Sequence, residues 1–330
     1  MSDDFDYSAD TRRNDRNKAK ENHFKSGKKQ IRCHKDVVAK EKSISEENDS
    51  SKLNFKTRGV LAKETVKIMK DQRDEPSDTI PPNYIFTDNY LENTKYYTEK
   101  MDIKIEKPKL IHEDGPDVSF PVKNVLSLVW EIEKDDLSKW AIINSPSALE
   151  PGGDFGKDAS AFEETLMLSS CIYGSLAKCE GKAMYKKHNK MDPEEGLYSA
   201  DLIYSPNVPF FRNEDLELIE DWKTNFITLS IITSPAVNYN IYSKNHSDSD
   251  YEKHMKIRIN RIFKTALKHG HTKLIIGTWG CGLDGGPLNH VMKWFSQDNL
   301  SDYFDEIYFI SNDEEIAEIM EENFLDPGDF

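Results

Sequence analysis

Two adjacent carboxylates, Glu163 and Glu164, follow a Pro151-Gly152-Gly153-Asp154-Phe155 turn closely enough to work on one ligand. Paired glycines after a proline let the backbone turn sharply and approach a bound molecule. Phe162 opens the run Phe162-Glu163-Glu164 at the start of an expected helix. A bare backbone loop and a fixed carboxylate pair could hold a phosphorylated sugar and set an acid beside its glycosidic bond. A second stretch, Gly277-Thr278-Trp279-Gly280-Cys281-Gly282-Leu283-Asp284-Gly285-Gly286-Pro287, places glycines at alternate positions, a pattern that exposes N–H groups to a diphosphate.

Both stretches need a scaffold, and apolar runs of strand length supply one. These are Val118–Val122, Trp140–Asn144, Phe226–Thr233, Leu274–Gly277 and Glu306–Ile310. Helical spacing predicts helices over Thr57–Gln72, Ser160–Lys178, Tyr251–His269, Leu288–Gln297 and Glu314–Asn323, with Gly270 at a C-terminal cap. Strands alternating with helices imply a three-layer α/β domain. In such sheets ligands sit beyond the carboxyl ends of strands, where the loops after Asn144 and Gly277 lie.

Two further readings of these stretches stay open. Ser160-Ala161-Phe162-Glu163 reads as a capping box, with Glu163 closing its own helix. Gly280, Gly282 and Gly285 satisfy G-x-G-x-x-G, but one clear strand remains after Gly285, too little for the half-fold that a dinucleotide site opens. The dipole of a helix starting at Phe162 favours ionised carboxylates, so an acid at Glu164 needs desolvation or a neighbouring negative charge.

The 330 residues suffice for one large domain or two small ones, with 37% apolar and 31% charged residues. Residues 1–56 are polar and lack period, and read as a disordered tail ahead of an ordered domain over 57–330. Within the tail, Arg12 to Lys35 is strongly basic, fitting a nuclear address, a contact with an acidic polymer or a solvated tail. The formal net charge of -15 gives no general attraction for nucleic acid or anionic membranes. Cys33, Cys171, Cys179 and Cys281 form no C-x-x-C pair and read as free thiols in a reducing compartment. Charge from Asp3 onward reads as no signal peptide, and no apolar run reaches membrane-spanning length. The expectation is an intracellular protein, cytoplasmic or nuclear. Metal-ligand spacing is missing, and the scattered histidines take no role.

The Gly152–Glu164 segment resembles the glycine-triplet and Gln-Glu-Glu signature of poly(ADP-ribose) glycohydrolases, in particular the microbial-type family built on a macrodomain. Trp279-Gly280-Cys281-Gly282 resembles the core of that family's second ligand loop. Three positions depart: Asp154 stands for the third glycine, Phe162 for glutamine and Asp284 for an aromatic. Arg58 with Ala62–Thr65, Ala200–Arg212 and Ile232–Ala236 resemble its fold-bearing blocks, so the likeness runs from about Arg58 to about Ile310. It implies a three-layer α/β/α macrodomain-like fold with a mixed central sheet. It implies ligand contacts from Asn144, Gly152, Gly153, Asp154, Phe162, Trp279, Gly280, Cys281, Gly282, Asp284 and Gly285, with Glu163 as ribose anchor and Glu164 as general acid/base. It implies ADP-ribose or poly(ADP-ribose), the latter on ADP-ribosylated proteins, as ligand, and neither metal nor redox cofactor. The departures also fit a second reading, a macrodomain that binds ADP-ribose weakly or serves as an interaction module.

Overall fold

The protein is represented by a computed structural model, which describes residues 56–71, 89–106, 115–157, 159–178 and 180–325. The polar extension with its basic run, Cys33 and Cys179 lie outside the described residues. Seven strands form one sheet. They are β1 Lys95–Tyr97, β2 Asp117–Ser119, β3 Trp140–Asn144, β4 Leu202–Phe210, β5 Ile227–Thr233, β6 Lys273–Ile276 and β7 Glu306–Phe309. Their order is β1-β4-β5-β3-β6-β7-β2, and among them only β4 runs against its neighbours. The sheet is therefore mixed, with a parallel five-stranded part at its centre and one edge.

The central strands are buried on both faces, which is why they read as continuous apolar runs. On β3, Trp140 and Ile142 enter one core while Ala141 and Ile143 enter the other. The first core is closed by α1 (Lys56–Asp71), α3 (Val125–Glu131), α4 (Phe162–Ser169), α5 (Ile172–Ala177) and α6 (Gly181–His188). The second is closed by α8 (Asp248–Lys268), α9 (Leu288–Ser296) and α10 (Glu314–Leu325). Two short helices, α2 (Asn89–Glu92) and α7 (Tyr239–Tyr242), complete the set. This is the three-layer α/β/α arrangement. Gly270 follows α8 with φ +80, as a C-terminal cap requires.

One expected helix is two. The stretch Ser160–Lys178 breaks after Ser169, where Ser170 is extended and bridges Phe210 at the end of β4. The terminal carbonyl of Leu168 is taken by Thr65 Oγ1 at 2.9 Å and Arg212 Nε at 3.1 Å. Phe211 N donates to Ser169 O at 3.0 Å. With these acceptors claimed from outside, α4 has little reason to continue. The expected strand to Val122 is also shorter; β2 ends at Ser119, and Val122 makes an isolated parallel bridge to Ser311.

Register decides what the sheet can present. β3 and β6 are parallel neighbours with Ile143 opposite Ile276. The next residues, Asn144 and Gly277, therefore leave the sheet side by side. Both candidate ligand loops begin at one edge of the fold.

Candidate active site

The first loop is built around two buried carboxylates. Asn144 ends β3 fully buried. Glu163 Oε2 accepts from Ser147 N at 2.7 Å and Glu163 Oε1 from Gly152 N at 3.1 Å. Asn144 Nδ2 donates to Thr233 Oγ1 at 3.4 Å, and the Asn144 side chain favours the charged form of Glu163. Glu164 Oε1 accepts from Asp154 N at 3.1 Å, and Glu164 Oε2 is buried without a hydrogen-bond partner among the described residues. Gly152 and Gly153 take φ +78 and +55. A Cβ on Gly153 would lie 2.8 Å from Glu164 Oε1 and 2.9 Å from Glu163 Oε2. The bare glycine is what lets the chain cross both carboxylates.

The capping-box reading fails here. The N-cap of α4 is Ala161, extended and without a side-chain cap bond. Glu163 reaches across to the amides of the preceding loop, which offer two donors where its own helix start would offer one.

Burial raises the pKa of both glutamates above the ordinary carboxylate range, and for Glu163 the charge of Glu164 adds to it. The helix dipole opposes this, as do the amides of Ser147, Gly152 and Asp154, and desolvation outweighs them. Arg58 on α1 contributes an opposing positive charge at Glu164. Two buried neighbouring carboxyls resist ionising together, so the pair holds a proton where isolated glutamates would not.

Asp154 occupies the turn differently from a plug. Its side chain is exposed and pairs with Lys157 Nζ at 2.8 Å. Phe162 lays its ring on the second loop, since a Cβ on Gly277 would sit 3.0 Å from Phe162 Cδ2. Gly280 N donates to Ser145 Oγ at 3.4 Å. These two contacts join the loops into one site.

Within the second loop, Trp279 turns inward. Its indole is buried, donates to Ser234 O at 2.7 Å and meets Phe295 edge-on. Trp279 thus anchors the loop from beneath. Cys281 is buried, with Sγ directed to Trp279 O. Gly280 has φ +76 and faces Met255, where a Cβ would come within 2.8 Å of Cε. The amides of Cys281, Gly285 and Gly286 are used inside the loop, bonding to Thr278 O, Gly282 O and Gly280 O. Those of Gly282, Leu283 and Asp284 have no backbone acceptor among the described residues. Gly282 has nothing within 4 Å of a built Cβ, so it presents the open part of the loop. Asn240 of α7 straps the tip, with N donating to Asp284 O at 3.1 Å and Nδ2 to Leu283 O at 3.1 Å. The Asp284 carboxyl is pushed up to about 7 by desolvation, against the pull of Arg258.

Ser145 and Ser147 were not singled out by sequence reasoning as separate site residues. Each acts through contacts with residues far along the chain, and no local pattern marks them. Among the described residues no group of three His, Cys, Asp or Glu is placed to hold a metal ion. None of their helices is long and apolar enough to cross a membrane.

A mixed sheet between two helical layers, with glycine loops leaving adjacent parallel strands over a glutamate pair, defines a macrodomain-like protein. Residues 62–213 match the model of the microbial-type PARG catalytic domain. The match takes in the first loop and both glutamates and ends before the second loop. Poly(ADP-ribose) glycohydrolase from Thermomonospora curvata, bound to the inhibitor ADP-HPD, is 26% identical. It superposes with a TM-score of 0.66, over 82% of this chain and 99% of that one. Poly(ADP-ribose) glycohydrolase from Deinococcus radiodurans in complex with ADP-ribose is 21% identical, with a TM-score of 0.62, over 75% of this chain and 98% of that one. At that identity the second likeness concerns the fold. No curated protein matches the chain.

Proposed function

We propose that this chain hydrolyses the ribose–ribose O-glycosidic bond of poly(ADP-ribose) or a related ADP-ribosyl linkage. The observation that carries this reading is Glu164 Oε2, a buried carboxyl oxygen with no partner among the described residues, beside a second glutamate whose oxygens accept from the amides of Ser147 and Gly152. The amides of Ser147 and Gly152 occupy both oxygens of Glu163, whereas Glu164 Oε2 is the oxygen left without a partner among the described residues, so Glu164 is the one placed to pass the pair's proton to a ligand. Glu163 and Asn144 anchor the ribose; the open backbone at Gly282–Asp284 meets the diphosphate. Glu164 gives its proton to the leaving oxygen as the anomeric C–O bond breaks through an oxocarbenium-like state. As carboxylate, it then takes a proton from the attacking water, which restores the acid.

Glu164 Oε2 is covered in this state. Substrate entry therefore parts the turn at 152–154 from α4, exchanging the Gly152 and Asp154 amide bonds for ligand contacts. The reading also includes a polar extension over 1–56, a catalytic domain over 57–330, and an intracellular site of action, which the free buried thiols of Cys171 and Cys281 support. ADP-ribosylated proteins are the natural carriers of such a substrate.

One observation favours a binding module instead: Asp284 puts a titratable carboxyl on the loop that would carry a diphosphate. Release of ADP-ribose from labelled poly(ADP-ribose), measured beside calorimetric titration with ADP-ribose, separates the two. Release supports hydrolysis; binding without release makes the chain a reader.

A further inference from the structure

A residue outside the proposed mechanism holds the second ligand loop from one side. Asn240 N donates to Asp284 O at 3.1 Å, and Asn240 Nδ2 donates to Leu283 O at 3.1 Å. The same carboxamide lies against Gly285, where a Cβ would collide with its Nδ2, Cγ and Oδ1. The short helix α7 that carries Asn240 is itself fixed. Asn238 N donates to Gly196 O at 2.9 Å, and Tyr239 Oη donates to Asp248 Oδ1 at 2.9 Å. The Tyr239 ring meets that of Tyr251 on α8, with centroids 4.7 Å apart. Tyr251 in turn sets its Oη against Gly286, leaving no room there for a Cβ. Asn240 therefore grips the loop from a rigid base.

These bonds give the loop a direction. In a trans peptide unit the C=O and the N–H point opposite ways. No peptide bond among the described residues is cis. With Leu283 O turned to Asn240, the Asp284 N–H of the same unit turns away from α7, and it has no backbone acceptor among the described residues. With Asp284 O turned to Asn240, the Gly285 N–H points back into the loop, where it donates to Gly282 O at 3.1 Å. One strap thus closes the turn and leaves an N–H presented on its far side, beside the unused amides of Gly282 and Leu283. Successive open N–H groups in a turn suit an anion.

We propose that Asn240 is a positioning residue for the diphosphate, fixing the 283–284 peptide so that the Asp284 N–H donates to a phosphate oxygen of the ligand. This rests on the reading of the site as one for ADP-ribose. Without the side-chain bond the peptide unit is free to rotate, and a rotated unit turns its carbonyl oxygen to the phosphate. The grip is remote from the anomeric carbon, so its loss falls on binding and spares bond cleavage.

Asn240→Ala removes the side-chain donor and keeps the backbone bond to Asp284 O. Asn240 is exposed, so the melting temperature should fall by no more than about 3 °C. Calorimetry should show ADP-ribose binding roughly tenfold weaker, the size of one lost hydrogen bond to a charged group. In ADP-ribose release from labelled poly(ADP-ribose), KM should rise by a similar factor with kcat held. In nitrogen-15 NMR, the Asp284 amide proton should move downfield on saturation with ADP-ribose in wild type and stay in place in the variant. Gly285→Ala pushes the same carboxamide aside, so it should weaken binding too, and Asn240→Ala should add little on top of it. Wild-type affinity and KM in Asn240→Ala would overturn the inference. So would weaker binding with an Asp284 amide shift as large as that of wild type, the mark of a residue that only steadies the loop. A wild type that binds ADP-ribose and releases none sinks the hydrolase reading alone, because affinity and the amide shift still decide the role of Asn240. A wild type that binds no ADP-ribose overturns the inference, and the release assay still decides the hydrolase reading.

Discussion

Replacing Gly153 with alanine puts a methyl group where two carboxylate oxygens already stand. The backbone there has φ +55, and the new carbon would lie 2.8 Å from Glu164 Oε1 and 2.9 Å from Glu163 Oε2. Left-handed backbone costs a non-glycine residue about 1–2 kcal/mol. The contacts cannot be relieved by a flexible tip, because both carboxyls are buried and tied to the amides of Ser147, Gly152 and Asp154. Moving either breaks a hydrogen bond to a charged or proton-sharing group, about 1.5–3 kcal/mol. The combined loss is about 3–4 kcal/mol, which in a domain of this size lowers the melting temperature by roughly 6–15 °C. The assay is a thermal melt by circular dichroism, with ADP-ribose calorimetry on the protein that remains folded. Binding should weaken as well, since the loop and its anchor shift together. A Gly153→Ala protein melting within about 1 °C of wild type, with unchanged affinity, would refute the packing of that turn on the glutamates.

Gly282→Ala is the converse: with open space at its Cβ, stability should hold or rise by a few tenths of a kcal/mol, while calorimetry shows weaker ADP-ribose binding, because the methyl covers the loop's open backbone. Asp284→Asn should flatten a pH dependence. With its carboxyl raised to about 7, Asp284 contributes stability that is full below its unfolded value near 3.8 and is lost as pH rises through about 7. Melts from pH 4 to 8 should show that decline in wild type and less of it in the variant. ADP-ribose affinity should fall across the same window in wild type only, since an ionised Asp284 repels the diphosphate. Asp154→Gly should leave ADP-ribose affinity within about twofold by calorimetry, because the side chain points to solvent and its pair with Lys157 is an exposed one. A large gain in affinity on removing Asp154 would mean that it blocks the cleft after all.

Much of the scaffold could be read from local pattern, and the site less so. Trp140–Asn144 is a continuous apolar run closed by a polar residue, and β3 has those bounds. The long amphipathic stretch after Tyr251 became α8, with Gly270 as its stop. The edge strand Lys95–Tyr97 carries no apolar run, and α6 is dominated by polar residues, so neither announced itself. The break between α4 and α5 is set by Thr65 and Arg212 on the Leu168 carbonyl, partners that lie 103 and 44 residues away. Glu163 illustrates the same limit. Its spacing from Ser160 suits a capping box, yet in the fold the amides of Ser147 and Gly152 claim it. The Trp-Gly-Cys-Gly core drew attention to the second loop, but the inward direction of the Trp279 indole depends on Ser234 and Phe295, which only the folded chain brings near.

The central claim is that Glu164 carries the proton that leaves with the sugar linkage. Its direct test is the rate of ADP-ribose release from labelled poly(ADP-ribose) by Glu164→Gln beside wild type, with ADP-ribose affinity measured on both. Glutamine keeps an oxygen for the Asp154 amide and cannot supply the acid, so the rate should fall by roughly a thousandfold or more while affinity stays within a fewfold. Equal rates from the two proteins would contradict the account.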